Sequence, residues 1–583
     1  MKGGIEQGHI HVAALTRPMS TQNPCQQADG QLAAGMKIND RSVLSFALVA
    51  GMAVCAHAQL SVVSHSPAKH APSADRSGPI TVTFDVPVSA ASLTAANFRV
   101  FGKASGPIAG TISLDGAGTT VTFTPAQPFK AGEVVMVTMS RNIAAAGGGT
   151  LRSAGYHFEF HARAGVSNYQ FQQIGSISNR DATGAQTRIY GGIAADFNRD
   201  GWTDIATINE VSADLRVLLN LQNVNTPFAG MVTPYTPIPY ESSPNMPADF
   251  NGDGFIDVVL SDYDQRIAVA LGDGNGSFSS VQEIIVSQIP RDFGVFDADG
   301  DGDFDITVAC AGGNAVNYLA NNGNGTFAAP VVTTVTGSPY GMAAADFNND
   351  GIYDLAVGCR NSQEAKILRG NGNGTFTQVS SRAIGGATWV VMAGDLNNDG
   401  KVDITAANSF SSNASVLLGN GNGTLQAAAV QPTGGHTVST DLADLDGDGD
   451  LDWIVSSFGA GRWYTYTNNG NGVFTPRDEF PAPANPSCAV PFDFDNDGDI
   501  DLALTDEIAD VIILMRNITS CDSIDFNQNG VFPEDQDVID FFDVLAGGTC
   551  GACADIDFNN NGVFPEDQDV IDFFNVLAGG GCP

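Results

Sequence analysis

Seven times between residues 196 and 501 the chain repeats the pattern D-x-[DN]-x-D-G-x-x-D. Alternate side chains at positions 1, 3 and 5 of such a loop converge on one point. Glycine at 6 permits the sharp turn, position 7 lends a backbone carbonyl and the aspartate at 9 closes an all-oxygen shell, which suits a hard divalent cation. The ligands this predicts are Asp196, Asn198, Asp200, Trp202 and Asp204; Asp249, Asn251, Asp253, Phe255 and Asp257; and Asp297, Asp299, Asp301, Asp303 and Asp305. They continue with Asp346, Asn348, Asp350, Ile352 and Asp354; Asp395, Asn397, Asp399, Lys401 and Asp403; Asp444, Asp446, Asp448, Asp450 and Asp452; and Asp493, Asp495, Asp497, Asp499 and Asp501. Calcium is the expected cofactor. Asp/Asn/Gly turns that only solvate hairpins are the alternative, but they do not demand Asp at 1, 5 and 9 with Gly at 6 in every copy.

A second cation chemistry lies near the C-terminus. Asp525, Asn527, Asn529 and Gly530, and again Asp557, Asn559, Asn561 and Gly562, occupy positions 1, 3, 5 and 6 of two near-identical loops. Each is followed by apolar residues at helical spacing, Val538, Phe541, Phe542 and Leu545 in the first, and by a Gly-Gly stop. Asp535 and Asp537 in the first copy, with Asp569 matching Asp537 in the second, are the acidic candidates, at positions 11 and 13 instead of a carboxylate at 12. Cys521, Cys550, Cys553 and Cys582 bracket the two units at equal separations, so Cys521–Cys550 and Cys553–Cys582 are the favoured disulfides, ahead of Cys550–Cys553.

Catalytic constellations are scarce. Of eight histidines only His436 falls among the repeats, with no cysteine partner or G-x-S-x-G elbow, and the paired carboxylates are already committed to the loops. The expectation is a protein that is not an enzyme. Six residues before each first loop Asp stand Tyr190, Ser243, Arg291, Tyr340, Trp389, Val438 and Ser487, at the strand end opposite the loops. Aromatics with an arginine there would suit a sugar or a peptide; packing between neighbouring repeats is the alternative.

The elements that must position these residues follow from the intervals. First-Asp spacings of 53, 48 and then four times 49 residues, with a short apolar strand before each loop and three after it, predict four antiparallel strands per repeat over 167–517. After Val511–Met515 no fourth strand follows, whereas Tyr169–Ile174 resembles the fourth strands that begin at Phe278 and Phe376, so the N-terminal strand is expected to complete the seventh sheet. Residues 60–163 alternate apolar and polar in short runs such as Ile80–Phe84 and Thr120–Phe123, which predicts a β-sandwich. Cys310 and Cys359, equivalent in neighbouring repeats, read as small core residues ahead of a disulfide.

Met36-Lys37 and Arg41, an apolar run from Val43 to Val54 and Ala56-His57-Ala58 have the layout of a secretory signal over 36–58, with 1–35 as an upstream extension. No apolar run after residue 60 is long enough to span a membrane as a helix. With 64 acidic against 26 basic residues and a net charge of -38, a phosphate backbone is repelled, so nucleic acid is not an expected partner.

The seven loops and their period resemble the FG-GAP/VCBS repeats of integrin α-subunit propellers and many secreted bacterial proteins. That resemblance implies a mainly β fold with a seven-bladed propeller, calcium loops on one face, and a role in adhesion or recognition. "ITVTFDVPVSAASL", "TTVTFTPAQPFKAGEVVMVTM" and "GYHFEF" resemble a bacterial Ig-like domain, read as a spacer, and the tail at 521–583 resembles tandem EF-hand or dockerin-like repeats, which would add a docking partner. The expected function is secreted or cell-surface calcium-binding adhesion toward an extracellular protein or glycan. A lectin or carbohydrate-active enzyme using the propeller mouth is the rival.

Overall fold

The structure, a computed structural model, describes residues 59–518 except 181–182, 225, 229–235, 238–241 and 263, and in the tail 524–527, 531, 535–548, 556, 558 and 567–578. The signal segment, all four tail cysteines and the loop residues Asn529, Gly530, Asp557, Asn559, Asn561 and Gly562 lie outside the described residues.

Period-two patterning makes the first domain. Ile80–Phe84 alternates buried and half-buried side chains, as a strand with one face on a core must. Two four-stranded antiparallel sheets pack face to face over Ile80, Val82, Phe84, Val121, Phe123, Phe158 and Phe160. This is an Ig-like sandwich.

Beyond it, the described residues hold seven four-stranded antiparallel sheets. Their first strands are Ile189–Ala195, Ser242–Ala248, Pro290–Phe296, Pro339–Ala345, Thr388–Gly394, Thr437–Ala443 and Pro486–Phe492. Each lies beside the first strand of the next sheet, and the seventh lies beside the first. The second strands, such as Asp305–Cys310 and Asp354–Cys359, are buried at every residue because neighbouring sheets cover both faces. Fourth strands such as Val331–Thr334 face solvent. The seventh sheet takes its fourth strand from Phe171–Ser178, which pairs with Val511–Asn517, so the polypeptide on either side of the repeats is stitched into one sheet.

Polar bolts join the sheets. Asn220 donates to the Phe494 carbonyl at 2.7 Å, Asn321 to Phe250 at 2.7 Å, Asn468 to Leu396 at 2.8 Å and Asn517 to Leu445 at 2.7 Å, each bond reaching the preceding sheet's loop. At the equivalent place in three sheets stands glycine; a Cβ on Gly370 would meet the Tyr353 carbonyl oxygen at 2.2 Å. In the tail, helices Asp535–Leu545 and Asp567–Leu577 stack Phe541 on Phe573 at 4.2 Å. Among the described residues no helix is long and apolar enough to cross a membrane. Cys310 and Cys359 are buried free thiols.

Candidate functional site

Each acidic loop follows directly on a first strand, and its shape is set by backbone donors. Gly201, Gly254, Gly302, Gly351, Gly400, Gly449 and Gly498 all have positive φ, between 74° and 102°, which is why position 6 is glycine throughout. From that conformation each donates its N–H to the first-position carboxylate, as Gly302 does to Asp297 at 2.8 Å. Position 4 is left-handed as well, which accounts for Gly or Asn there in every loop but the first, where Arg199 stands.

The ninth-position aspartate has a task the sequence reading did not see. One oxygen accepts from the start of its own loop and the other from the end of the third strand, as Asp305 does from Ala298 at 2.9 Å and Asn321 at 2.8 Å. It clamps the loop to its sheet whether or not it ligates a cation. In the fourth loop Asp354 keeps the second bond, from Gly370 at 2.9 Å, but its Oδ2 is buried without a hydrogen bond.

Three loops gather carboxylates closely enough to share a cation: Asp297, Asp299 and Asp305; Asp444, Asp446 and Asp452; Asp493, Asp495 and Asp497. Burial, reinforced by the neighbouring carboxylates, pushes Asp297 and Asp444 up to about 8 and Asp452 up to about 9. The Oδ1 atoms of Asp444 and Asp493 are buried and accept no hydrogen bond. Hard oxygen donors that are buried, mutually repelling and left open in this way fit a divalent cation.

The Ig-like sandwich sits on this same loop face, so it is no spacer. Arg141 N–H donates to the Gly300 carbonyl at 2.7 Å, His157 N–H to Gly351 at 3.0 Å and Gly165 N–H to Gly498 at 2.7 Å. Lys69 Nζ lies 2.5 Å from Asp346 Oδ2, Arg99 Nη2 lies 2.7 Å from Asp303 Oδ1, and Lys130 Nζ donates to the Gly201 carbonyl at 2.5 Å. Phe101 and Met136 of the sandwich join the apolar core of Phe250, Phe293 and Phe296 beneath. Burial holds His157 and His161 down at about 4, so both stay neutral.

At the opposite ends of the first strands lies the second candidate region. A register shift after the first residue makes Tyr190, Arg291, Tyr340, Trp389 and Val438 the extra residue of a β-bulge, and Ser487 falls within a shift of the same kind. In the second sheet the shift comes one residue later, after Ser243. Bulges re-aim side chains, which gives these positions their distinct orientation. A cavity of about 330 Å³ runs between the first strands, lined by Tyr190, Trp389, Val438 and Ser487, by Asp292 and Asp441, and by Lys103 of the sandwich. Tyr340 and Arg291 are 5% and 7% exposed, whereas Trp389 is half-buried. Tyr340 therefore serves as a packing base, as the packing alternative held, and Trp389 as the accessible ring.

Sequence reasoning missed two members of this cluster. The Arg360 guanidinium lies over Tyr340, Trp389 and Phe410 at 4.9, 5.2 and 4.4 Å, and Phe410 is 65% exposed. Arg360 forms no ion pair among the described residues. His436 stacks on Phe410 at 4.9 Å and shares a 2.5 Å hydrogen bond with Ser409, while burial and then Arg360 lower its pKa. Antiparallel pairing sets the end of a second strand beside the start of a first, so counting one residue past Cys359 and two past Asn408 finds both.

In the tail, Asp525 is buried, and Asp537 and Asp569 are fully so. Asn527 N–H approaches Asp537 Oδ1 at 3.5 Å, and its side-chain amide donates to Asp540 at 2.9 Å. Asp540, one helical turn below Asp537, was not among the candidates.

The FG-GAP-like repeat family matches five overlapping stretches, 249–308, 297–357, 346–406, 395–455 and 444–504. The chain carries FG-GAP-like repeats. The motif at Asp196 lies before the matched span, and a bacterial Ig-like domain matches residues 56–162. No curated protein matches the chain. One similar solved structure is an Agrocybe aegerita lectin that recognises non-reducing terminal N-acetylglucosamine, at 20% identity over 69% of this chain and 94% of that one, with a TM-score of 0.38. Another is a catalytically inactive virginiamycin B lyase from Staphylococcus aureus, at 13% identity over 60% of this chain and 99% of that one, with a TM-score of 0.39.

Proposed function

We propose that the repeats close into a calcium-stabilised, seven-bladed propeller of an exported recognition protein, without catalysis, whose ligand enters at the bulged mouth opposite the loops. The observation that carries the ligand site is Arg360. A guanidinium over three rings, with no ion pair among the described residues and an exposed phenylalanine beside it, is a platform for a group that offers both a flat face and negative or hydrogen-bonding oxygens. Extracellular glycans and protein segments both offer that combination. Buried, mutually repelling loop carboxylates support calcium as the bound ion, by the reasoning on hard oxygen donors above, and calcium abounds outside the cell, where the basic-apolar-small layout of residues 36–58 would send the chain.

The residues that hold the ion are those of the loops, and its contribution is charge compensation: it relieves carboxylate repulsion and fixes the loops on which the sandwich sits. The tail repeats follow the same chemistry with fewer charges, and they are proposed as a second calcium module with a docking role. The test is a glycan-array and extracellular-protein binding screen of the full chain, with and without calcium, repeated with Arg360→Ala. Binding that needs Arg360 supports the reading. Binding that survives Arg360→Ala, or turnover of a bound glycan, overturns it.

A further inference from the structure

The seven loops are not equivalent: Arg516 of the repeats themselves pairs with Asp495, the third position of the seventh loop, at 2.8 Å, and the Ig-like sandwich brings cations to others. Residues 59–165 carry eight basic and five acidic side chains, a net +3 in a chain of net -38, and Lys69, Arg99 and Arg141 among them are turned onto the loop face. Two of them reach the third loop away from its first-position aspartate. Arg99 pairs with the seventh-position side chain of the third loop, where the ligand scheme uses the carbonyl, and Arg141 reaches Asp299 at 3.4 Å from an exposed position.

Lys69 is different. Its ammonium lies 2.5 Å from Oδ2 of Asp346, the first ligand of the fourth loop, whose side chain is fully buried, and its own side chain is 11% exposed. Among the described residues no other first-position aspartate is ion-paired. The ammonium is held over the Tyr156 ring at 5.2 Å, and Arg152 stands over the same ring at 5.4 Å. The His157 N–H fixes the sandwich to the Gly351 carbonyl of that same loop at 3.0 Å.

We infer that Lys69 is the built-in cation of the loop Asp346–Asp354: with the sandwich seated, its ammonium takes the place that calcium takes in the other loops, and calcium at this loop and docking of Lys69 exclude each other. The inference rests on the calcium reading above. An ammonium supplies one positive charge and up to three donors; here it bonds Asp346, and among the described residues it makes no bond to the ninth-position carboxylate. Asp354 Oδ2, buried without a partner, is what a single-point cation leaves behind and what a multidentate ion would take up.

The experiment counts calcium ions bound per full-length chain, by equilibrium dialysis and native mass spectrometry, in wild type, Lys69→Met, Lys69→Arg and Asp346→Asn. Lys69→Met is expected to bind one ion more than wild type. Lys69→Arg, which keeps the charge, and Asp346→Asn, which alters a loop already filled by lysine, are expected to match wild type. The Asp346→Asn comparison decides the matter even if Lys69→Met fails to fold: one ion fewer than wild type would show that calcium occupies the loop and overturn the assignment. Equal counts in wild type and a folded Lys69→Met would overturn it too. No calcium bound by wild type would instead refute the calcium reading of all the loops, and the assignment with it.

Discussion

Asp292 offers a quantitative test of how the first strands are held together. It lies on the wall of the central cavity, accepting from the Met342 N–H of the next sheet at 2.8 Å and from the Phe293 N–H at 2.9 Å, and among the described residues it forms no ion pair. Burial pushes its carboxyl up to about 7. A carboxyl raised in the folded state binds its proton more tightly there than in the unfolded chain, so its stabilisation is present at low pH and is lost as pH rises through 7. At about 1.4 kcal/mol per pK unit the whole effect is roughly 4 kcal/mol, of which about 2.5 falls between pH 5 and pH 8. With an unfolding entropy of about 2 cal/mol/K per residue over the roughly 350 residues of the repeats, that is about 3–4 °C in Tm. Asp292→Asn removes the titration. Its loss of one well-oriented acceptor costs about 1–3 kcal/mol, but equally at every pH. The assay is differential scanning calorimetry of both proteins from pH 5 to 8 in saturating calcium, which holds the loops constant. The variant's Tm relative to wild type should rise by about 3–4 °C across that range. Parallel profiles would refute the argument that Asp292 is buried as a carboxyl without ionic compensation.

Three further outcomes are expected. Excess EGTA at low magnesium should lower the Tm, since each site filled at 100 times its Kd contributes about 2.7 kcal/mol; an unchanged melt would make the loops simple turns. Tyr340→Ala should cost about 3–5 kcal/mol in a denaturant titration, as for a buried aromatic, whereas Trp389→Ala, half-buried, should cost less than half of that and abolish ligand binding. Asn517→Ala strips hydrogen bonds from the Leu445 and Ile500 carbonyls and should cost roughly 1–3 kcal/mol, read from the same titration, with the seventh sheet losing amide-exchange protection first.

The repeat is legible in the sequence because its constraints are local. Gly351 must be glycine for its own φ, and Asp305 must be aspartate for a clamp that closes seven and sixteen residues away. The polar bolts are less visible: Asn517 and Gly370 solve the same place in two sheets by opposite means, one by bonding across and one by leaving room. The seat of the sandwich is not legible at all. Lys69 and Asp346 are 277 residues apart, and nothing in either neighbourhood announces the other. The mouth falls between these cases, for Trp389 is found by register, while Arg360 requires knowing that a second strand runs back to where the first began.

That seat also decides how the central cavity is used. Phe101, Lys103, Met136 and His161 of the sandwich line a smaller cavity of about 70 Å³ against Met246, Gly294, Met342 and Val391, at the loop ends of the first strands. The sandwich thus covers the end of the channel where the acidic loops concentrate negative charge, and it does so with a segment of net positive charge. What stays open is the bulged end, where Trp389, Phe410 and Arg360 stand. The loop face is partly taken by the sandwich, whose Lys69 and Arg99 pair with Asp346 and Asp303. A ligand approaching the mouth meets rings and the Arg360 guanidinium, with Lys103 of the sandwich also lining the cavity. On the proposed reading the ligand's route is set by which end the sandwich occupies, and a variant that unseats it should open a second, acidic entrance to the same channel.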